Sequence, residues 1–121
     1  MVSRLVHRDQ SRVYLDQAKE ELQNGELLQA SEKGWGAAAQ IVKALAEERG
    51  WEHNGHWFLH RAVDSLVAET GDEELQVQFS SANSLHTNFY EGLLSRDTIA
   101  FHLRQVERFV EKVEALLERK A

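Results

Sequence analysis

Apolar side chains recur every three or four residues along most of the chain, the spacing that places them on one face of an α-helix. The pattern breaks at glycine turns, and no stretch alternates apolar and polar residues as a strand would. The breaks delimit helices over residues 3–24, 26–49, 57–70 and 72–92 and a fifth helix that begins at residue 95. The pattern therefore predicts an all-α fold, an antiparallel up-and-down helical bundle of four long helices plus one shorter helix.

The same spacing predicts which side chains point inward and which residues start the helices. In the first helix the inward set is Val6, Val13, Tyr14, Ala18 and Leu22. Leu28 of the second helix and Leu93 near the end of the fourth also fall on inward positions. Asp72 and Ser95 are residue types that cap helix N-termini, so we expect them to start the fourth and fifth helices.

The second and fifth helices carry the most regular apolar patterns. Gly34 and Gly36 lie in the middle of the second helix, where each costs about 1 kcal/mol relative to alanine. We expect them to admit a partner helix closely or to leave room for Trp35, which makes this the central helix of the core. The fifth helix has two adjacent apolar stripes, a width typical of a core helix or a subunit interface. We expect a homodimer that buries the surplus.

Composition and charge narrow the classes of function. The 121 residues suffice for one domain, assigned here to residues 1–121. The absence of proline suits uninterrupted helices, and the absence of cysteine excludes disulfides and thiolate chemistry. A net charge of −6 argues against a protein that coats nucleic acid by neutralising phosphates. No apolar run approaches the roughly 20 residues of a membrane span and no signal peptide is recognisable, so we expect a cytoplasmic protein.

The fourth helix carries polar side chains on its inward face. His86 occupies a position where the stripe requires an apolar residue, and Asn83 and Tyr90 lie three residues before and four after it on the same edge. A buried imidazole needs hydrogen-bond partners. The three form either a buried polar network that fixes the helix register or a groove that binds a phosphate or a base. Asn88 points about 200° away from His86, so we expect it to meet the connection between helices four and five.

Three histidines lie close together in the sequence at the start of the third helix. His56 and His60 are four residues apart and share a helical face, and together with His53 they could bind a transition metal. The alternative is that they bind no metal and that His56 caps the helix. No other feature of the sequence predicts a cofactor.

Four segments resemble the HEPN superfamily and, within it, the PaREP-type branch of small helical proteins. They are residues 30–38 (ASEKGWGAA), 50–53 (GWEH), 55–59 (GHWFL) and 85–91 (LHTNFYE). The resemblance covers roughly residues 12–117, and the order and spacing of the segments carry it. It implies a helical bundle that usually dimerises through its last helices, with a polar groove at the dimer seam.

The resemblance also implies a function. Many similar proteins look like ribonucleases, often toxins paired with a nucleotidyltransferase-type partner protein. Their motif is an arginine followed four to six residues later by a histidine, which Arg96 and His102 match. Asp97 stands where asparagine is commoner, and Arg104 stands where a tyrosine is usual. The implied catalytic pair is Arg96 and His102. The implied binding groove comprises Glu32, Lys33, Asn83, His86 and Tyr90.

Two classes of function follow from these observations. In the first, the protein binds or cleaves RNA or a nucleotide, as a metal-independent ribonuclease and as one half of a toxin–antitoxin-like pair. In the second, it is a non-catalytic dimeric module whose surface recruits a partner protein. Neither class involves a membrane.

Overall fold

The computed structural model describes the backbone of residues 2–118 and the side chains of residues 6–118. The five α-helices are α1 (Val2–Gln23), α2 (Leu27–Arg49), α3 (His56–Thr70), α4 (Glu74–Glu91) and α5 (Arg96–Glu118). No strand occurs within residues 2–118, which confirms the prediction of an all-α fold. The domain assigned to residues 1–121 includes residues 1 and 119–121, which lie outside the described part.

A capping side chain starts α5 as the sequence predicts, whereas Asp72 bonds to the first turn of α4 from one residue before the N-cap position. Asp72 Oδ1 accepts a hydrogen bond from the backbone N–H of Glu74 at 3.1 Å, and Ser95 Oγ accepts one from the N–H of Thr98 at 3.2 Å. α4 begins at Glu74, and its N-cap position is Glu73, whose side chain makes no capping hydrogen bond, so Asp72 lies one residue before the cap. The other end of α4 is Gly92, whose φ of +64° is a left-handed conformation that glycine adopts without strain.

α2 is the central helix and contacts each of the other four. Its two glycines allow the close approach that the sequence predicts. A Cβ atom built on Gly34 would lie 2.5 Å from Leu103 Cδ2 of α5 and 2.8 Å from Leu85 Cδ1 of α4. A Cβ atom on Gly36 would lie 3.0 Å from Tyr14 Cδ2 of α1. The missing side chains therefore let three helices pack directly against the α2 backbone.

The inward set predicted for α1 is partly wrong. Val6 and Val13 are exposed, at 56% and 45%, whereas Ser11, Leu15 and Ala18 are buried. The buried face is rotated toward Ser11 because the Ser11 hydroxyl donates a 2.7 Å hydrogen bond to the backbone carbonyl of Ala37 in α2. A small residue with a satisfied hydroxyl packs against α2 more closely than a valine would, and hydrophobicity alone does not reveal it.

The apolar band of α5 is buried within the chain. All members of its main stripe are buried: Ile99, Leu103, Val106, Val110, Val113 and Leu117. Phe109 of the second stripe is also buried, with its ring centroid 5.5 Å from that of Phe79 in α4. Of the two roles proposed for so wide a band, α5 has that of a core helix. The surplus apolar surface from which we expected a dimer is thus mostly covered by α2 and α4.

Two other residues expected to point inward are exposed at one corner of the molecule. Leu93 is 79% exposed. The left-handed turn at Gly92 ends α4 before Leu93, so the helical spacing that would place Leu93 on the inward face no longer applies. Leu28, in the first turn of α2, is also exposed and lies beside Gly92. None of the described helices combines the length and apolar character that a membrane-spanning segment needs.

Candidate functional site

Three histidines from two helices lie close together beside one tryptophan of α2. We call His56, His60 and His86 the histidine cluster: His56 and His86 pack against Trp35, and His60 lies next to His56. The ring centroid of Trp35 lies 4.5 Å from that of His56 and 4.9 Å from that of His86. The His56 and His86 rings are themselves 4.5 Å apart, and His60 lies 6.1 Å from His56. The arrangement places two imidazoles side by side on an indole ring.

The members of the cluster differ in the neighbours that hold them in place. Trp35 is only 7% exposed and lies between the two glycines that bring neighbouring helices close to α2. His56 is the first residue of α3, and no side chain caps the N-terminus of that helix. The His60 ring packs edge-on at 5.0 Å against Phe79, which is buried in the core. Trp35 therefore forms the floor of a site whose imidazoles are partly open to solvent.

The two central histidines differ in their electrostatic surroundings. Burial lowers the pKa of His56, and the neighbouring His86 and His60 lower it further by repulsion of positive charge. His56 is therefore neutral at pH 7 and can accept a proton. His86 Nδ1 lies 3.3 Å from Glu32 Oε1. Because an ionised carboxylate only accepts hydrogen bonds, His86 donates from Nδ1, and Nε2 is the nitrogen left for a ligand.

The structure brings together three of the five residues predicted for the binding groove. Glu32 and His86 form the pair just described, and the exposed Tyr90 ring lies edge-on at 5.5 Å from His86. Lys33 is directed elsewhere, since its Nζ donates a 3.0 Å hydrogen bond to Gln17 Oε1 on α1. Successive helical residues differ by 100°, so Glu32 can face α4 while Lys33 faces α1.

The fifth residue of that set, Asn83, lines a different groove, together with His102. This groove has a volume of about 270 Å³ and lies between α4 and the start of α5, with Thr87 and Asn88 also in its wall. His102 Nδ1 lies 2.9 Å from the hydroxyl oxygen of the buried Ser81. Burial lowers the pKa of His102, which favours its neutral form.

The implied catalytic pair does not share this groove. Arg96 is exposed in the first turn of α5 and is not among the described residues that line the groove around His102. A separation of six residues turns the helix by about 120° and advances it by about 9 Å. The spacing along the sequence thus matches the motif, but the structure places the two side chains on different faces.

The three histidines considered as metal ligands are divided between two places. His53 Nε2 lies 2.7 Å from Glu47 Oε2, and its ring is 5.8 Å from that of His7 on α1. His56 and His60 belong instead to the histidine cluster. Within the described residues, no group of three or more histidine, aspartate and glutamate side chains has an arrangement that could hold a metal ion. The expectation that His53 joins the other two is wrong, because the 50–55 loop directs it toward α1.

Sequence reasoning found His86 but missed its partnership with His56 and Trp35. The inward position of His86 was visible in the spacing of α4, and Trp35 was visible between two glycines. The contact between α3 and α4 that joins the two histidines was not visible, because the 50–55 loop sets it. The one available signal in the sequence was that both segments, 55–59 and 85–91, carry the family resemblance.

Comparison with known proteins is consistent with this fold. The model of a family described as the archaeal PaREP1/PaREP8 family matches residues 6–110, a range that contains the histidine cluster and the groove around His102. The fold is similar to the crystal structure of a protein from Sulfolobus solfataricus, with a TM-score of 0.80 and 25% sequence identity. The similarity covers 89% of this chain and 96% of that chain. No curated protein matches the sequence.

Proposed function

The chain belongs to the archaeal PaREP1/PaREP8 family, and we propose that its histidine cluster binds RNA or a nucleotide and cleaves RNA without a metal ion. The observation that carries this proposal is the 4.5 Å separation of the His56 and His86 rings. Two imidazoles at that distance can serve one phosphodiester, one as general base and the other as general acid. The nearby Glu32 carboxylate orients one of them.

The proposed reaction uses the 2′-hydroxyl of the substrate as the nucleophile. Neutral His56 takes the proton of the 2′-hydroxyl while the 2′-oxygen attacks phosphorus. Protonated His86 gives a proton to the 5′-oxygen as the bond between phosphorus and that oxygen breaks. The products are a 2′,3′-cyclic phosphate and a free 5′-hydroxyl, and the two histidines have exchanged protonation states.

The surroundings of the cluster suit a small anionic substrate better than a long duplex. His56 begins α3, whose N-terminal N–H groups are uncapped by a side chain and favour a phosphate. The exposed Tyr90 ring beside His86 offers a face on which a base can stack. The net charge of −6 disfavours extended contacts with phosphates. The site therefore suits one or two unpaired nucleotides.

The proposal includes the finer features that the sequence implies. The antiparallel up-and-down bundle, the relation to the HEPN superfamily and a cytoplasmic setting are part of it. So is a nucleotidyltransferase-type partner that holds the ribonuclease inactive in a toxin–antitoxin-like pair. The proposal differs from the resemblance in one respect: we propose that the catalytic pair is His56 and His86 and not Arg96 and His102.

The proposal is tested by incubating the purified protein with an end-labelled single-stranded RNA in the presence of EDTA. We expect cleavage to fragments that end in a 2′,3′-cyclic phosphate, and no cleavage of a 2′-deoxy oligonucleotide of the same sequence. Because the pKa of His56 is lowered, protonation of this base should reduce the rate only below the ordinary histidine pKa, so the acid limb of the pH–rate profile should be displaced toward lower pH. Intact RNA, or equal cleavage of the 2′-deoxy control, would contradict the proposal.

A second candidate function is the dimeric interaction module, which an exposed apolar corner favours. We call Leu28, Tyr90 and Leu93 the apolar corner, because all three side chains are exposed. Leu28 contacts the turn at Gly92, which lies between Tyr90 and Leu93 in the sequence. Exposed apolar side chains that lie close together in space are typical of a surface that another protein covers. A second copy seated there would lie next to His86, because the Tyr90 ring contacts that histidine.

This second candidate predicts a dimer that depends on the apolar corner. In sedimentation velocity the wild type should have twice the 13.9 kDa mass of one chain. Leu93→Glu should sediment as a monomer, because a carboxylate would be buried without a partner. Val77→Glu is the matched control, since Val77 of α4 is also an exposed apolar residue, at 63%, but lies away from the apolar corner. A wild type that remains monomeric at millimolar concentration would exclude this surface as a dimer interface.

A further inference from the structure

A second groove lies on the face of α3 that adjoins the histidine cluster, between that helix and the 50–55 loop. It has a volume of about 310 Å³, and neither the cluster nor the reaction proposed above uses its residues. The side chains that define it are Trp51, Glu52, Trp57, Phe58, Arg61 and Ser65. We call it the aromatic groove.

Three aromatic rings make the walls of the aromatic groove. Trp57 is 61% exposed, and its ring meets that of Phe58 edge-on at a centroid distance of 4.9 Å. Trp51 of the 50–55 loop also lines the groove. An exposed tryptophan beside two further rings provides flat apolar faces, which bind planar ring systems by stacking.

The charged groups of the aromatic groove are available to a ligand. The Arg61 guanidinium lies over the Trp57 ring at 4.8 Å and forms no ion pair within the described residues. Arg49, by contrast, lies 6.0 Å from Trp51 and is held by Glu69 at 2.6 Å. An arginine stacked on tryptophan without a carboxylate partner is a ready donor to a phosphate.

Glu52 determines which planar ligand fits the groove. Its carboxylate is exposed in the groove wall and can accept two parallel hydrogen bonds. Guanine presents two adjacent N–H donors on its Watson–Crick edge, whereas adenine presents one donor beside an acceptor nitrogen that a carboxylate repels. Arg61 would then meet the phosphate while Glu52 meets the base, so the two charges match the two ends of a guanine nucleotide.

We propose that the aromatic groove is a subsite for a guanine nucleotide. The base stacks on Trp57 and Trp51 with its N–H edge at Glu52, and the phosphate pairs with Arg61. The inference rests on the proposed function in that it identifies which nucleotide of an RNA lies next to the histidine cluster. Because Trp57 directly follows His56 in α3, a nucleotide bound here places its neighbour beside that histidine.

Isothermal titration calorimetry with GMP, AMP and ribose 5-phosphate tests the subsite without requiring cleavage. GMP should bind about tenfold more tightly than AMP, which is the effect of one good bidentate contact. Ribose 5-phosphate should not bind measurably, because it lacks a base to stack. Trp57→Ala should weaken GMP binding by about tenfold or more, the effect of losing one stacking face. Glu52→Gln should remove the preference for GMP over AMP.

Matched variants separate the subsite from general surface effects and from the histidine cluster. Val77→Ala removes an equally exposed apolar side chain, and Arg104→Ala an exposed arginine of α5; neither should alter GMP binding. Equal affinity for GMP and AMP, or unchanged GMP binding by Trp57→Ala, would overturn the subsite. His86→Ala should retain GMP binding while losing cleavage. GMP binding without any RNA cleavage would therefore overturn the proposed function but keep the subsite.

Discussion

Replacing His86 with alanine should reduce the rate of RNA cleavage by about 10²–10⁴-fold, the usual contribution of a general acid or base. The residue supplies Nε2 on the open side of the ring while its Nδ1 lies 3.3 Å from the Glu32 carboxylate. Its ring also lies 4.5 Å from that of His56, so its loss leaves one imidazole to perform two proton transfers. The effect should appear in single-turnover cleavage of a labelled RNA.

The control variants distinguish the histidine cluster from the other histidines. His53→Ala removes an imidazole that pairs with Glu47, away from the cluster, and should cleave at the wild-type rate. Arg96→Ala should also cleave normally, because Arg96 is exposed at the start of α5. Circular dichroism should show the same helix content in all three variants, since none of these side chains is fully buried. If His86→Ala were fully active and Arg96→Ala inactive, the catalytic residues would be Arg96 and His102 and not the histidine cluster.

The helical framework could be predicted from the sequence because it depends on local spacing. The main stripe of α5 recurs every three or four residues, and each member is buried. The cap at Ser95 could be recognised for the same reason, since a cap acts within one turn. Which face of α1 is buried could not be predicted, because it depends on the hydrogen bond from the Ser11 hydroxyl to the carbonyl of Ala37 in α2. Local chemistry fixes the ends of a helix, whereas tertiary contacts decide its buried face.

The same distinction explains how much of the candidate site could be predicted. The spacing of α4 identified His86 as an unusual inward residue, and the structure gives it Glu32 as a partner. His56 lies 30 positions earlier, and its contact with His86 depends on the course of the 50–55 loop. The spacing of Arg96 and His102 was recognised in the sequence, but a helix separates residues six apart by about 120°. Spacing along the sequence therefore does not by itself show that two side chains of a helix can act on one substrate.

The position of Asn88 was predicted correctly and leads to the largest expected effect on stability. Its direction away from His86 suggested contact with the connection between α4 and α5. The structure shows Asn88 Oδ1 accepting a 2.8 Å hydrogen bond from the Leu94 N–H, and Nδ2 donating a 3.0 Å bond to Ser31 Oγ. The Ser31 hydroxyl in turn donates to the carbonyl of Leu27. One buried amide thus joins α4, the α4–α5 connection and the first turns of α2.

Asn88→Ala should lower the free energy of unfolding by about 2–4 kcal/mol, because a buried and a part-buried hydrogen bond are lost and the Leu94 N–H is left without its partner. That is a large fraction of the roughly 5–15 kcal/mol typical of a folded domain. Urea denaturation followed by circular dichroism measures the change. Asn83→Ala is the matched control: this asparagine of α4 is half-buried in the His102 groove, and its loss should change stability by no more than about 0.5 kcal/mol.

Ser31→Ala separates the two hydrogen bonds of Asn88. It removes the partner of Nδ2 and leaves the bond to Leu94 intact, so it should cost less than Asn88→Ala. The double variant should cost less than the sum of the two single variants, because the bond between Asn88 and Ser31 can be lost only once. Additive costs would show that the two residues act independently. Equal stability of Asn88→Ala and Asn83→Ala would show that the amide does not hold these helices together. Since Ser31 directly precedes Glu32, a loosened α2 terminus should also weaken the alignment of His86.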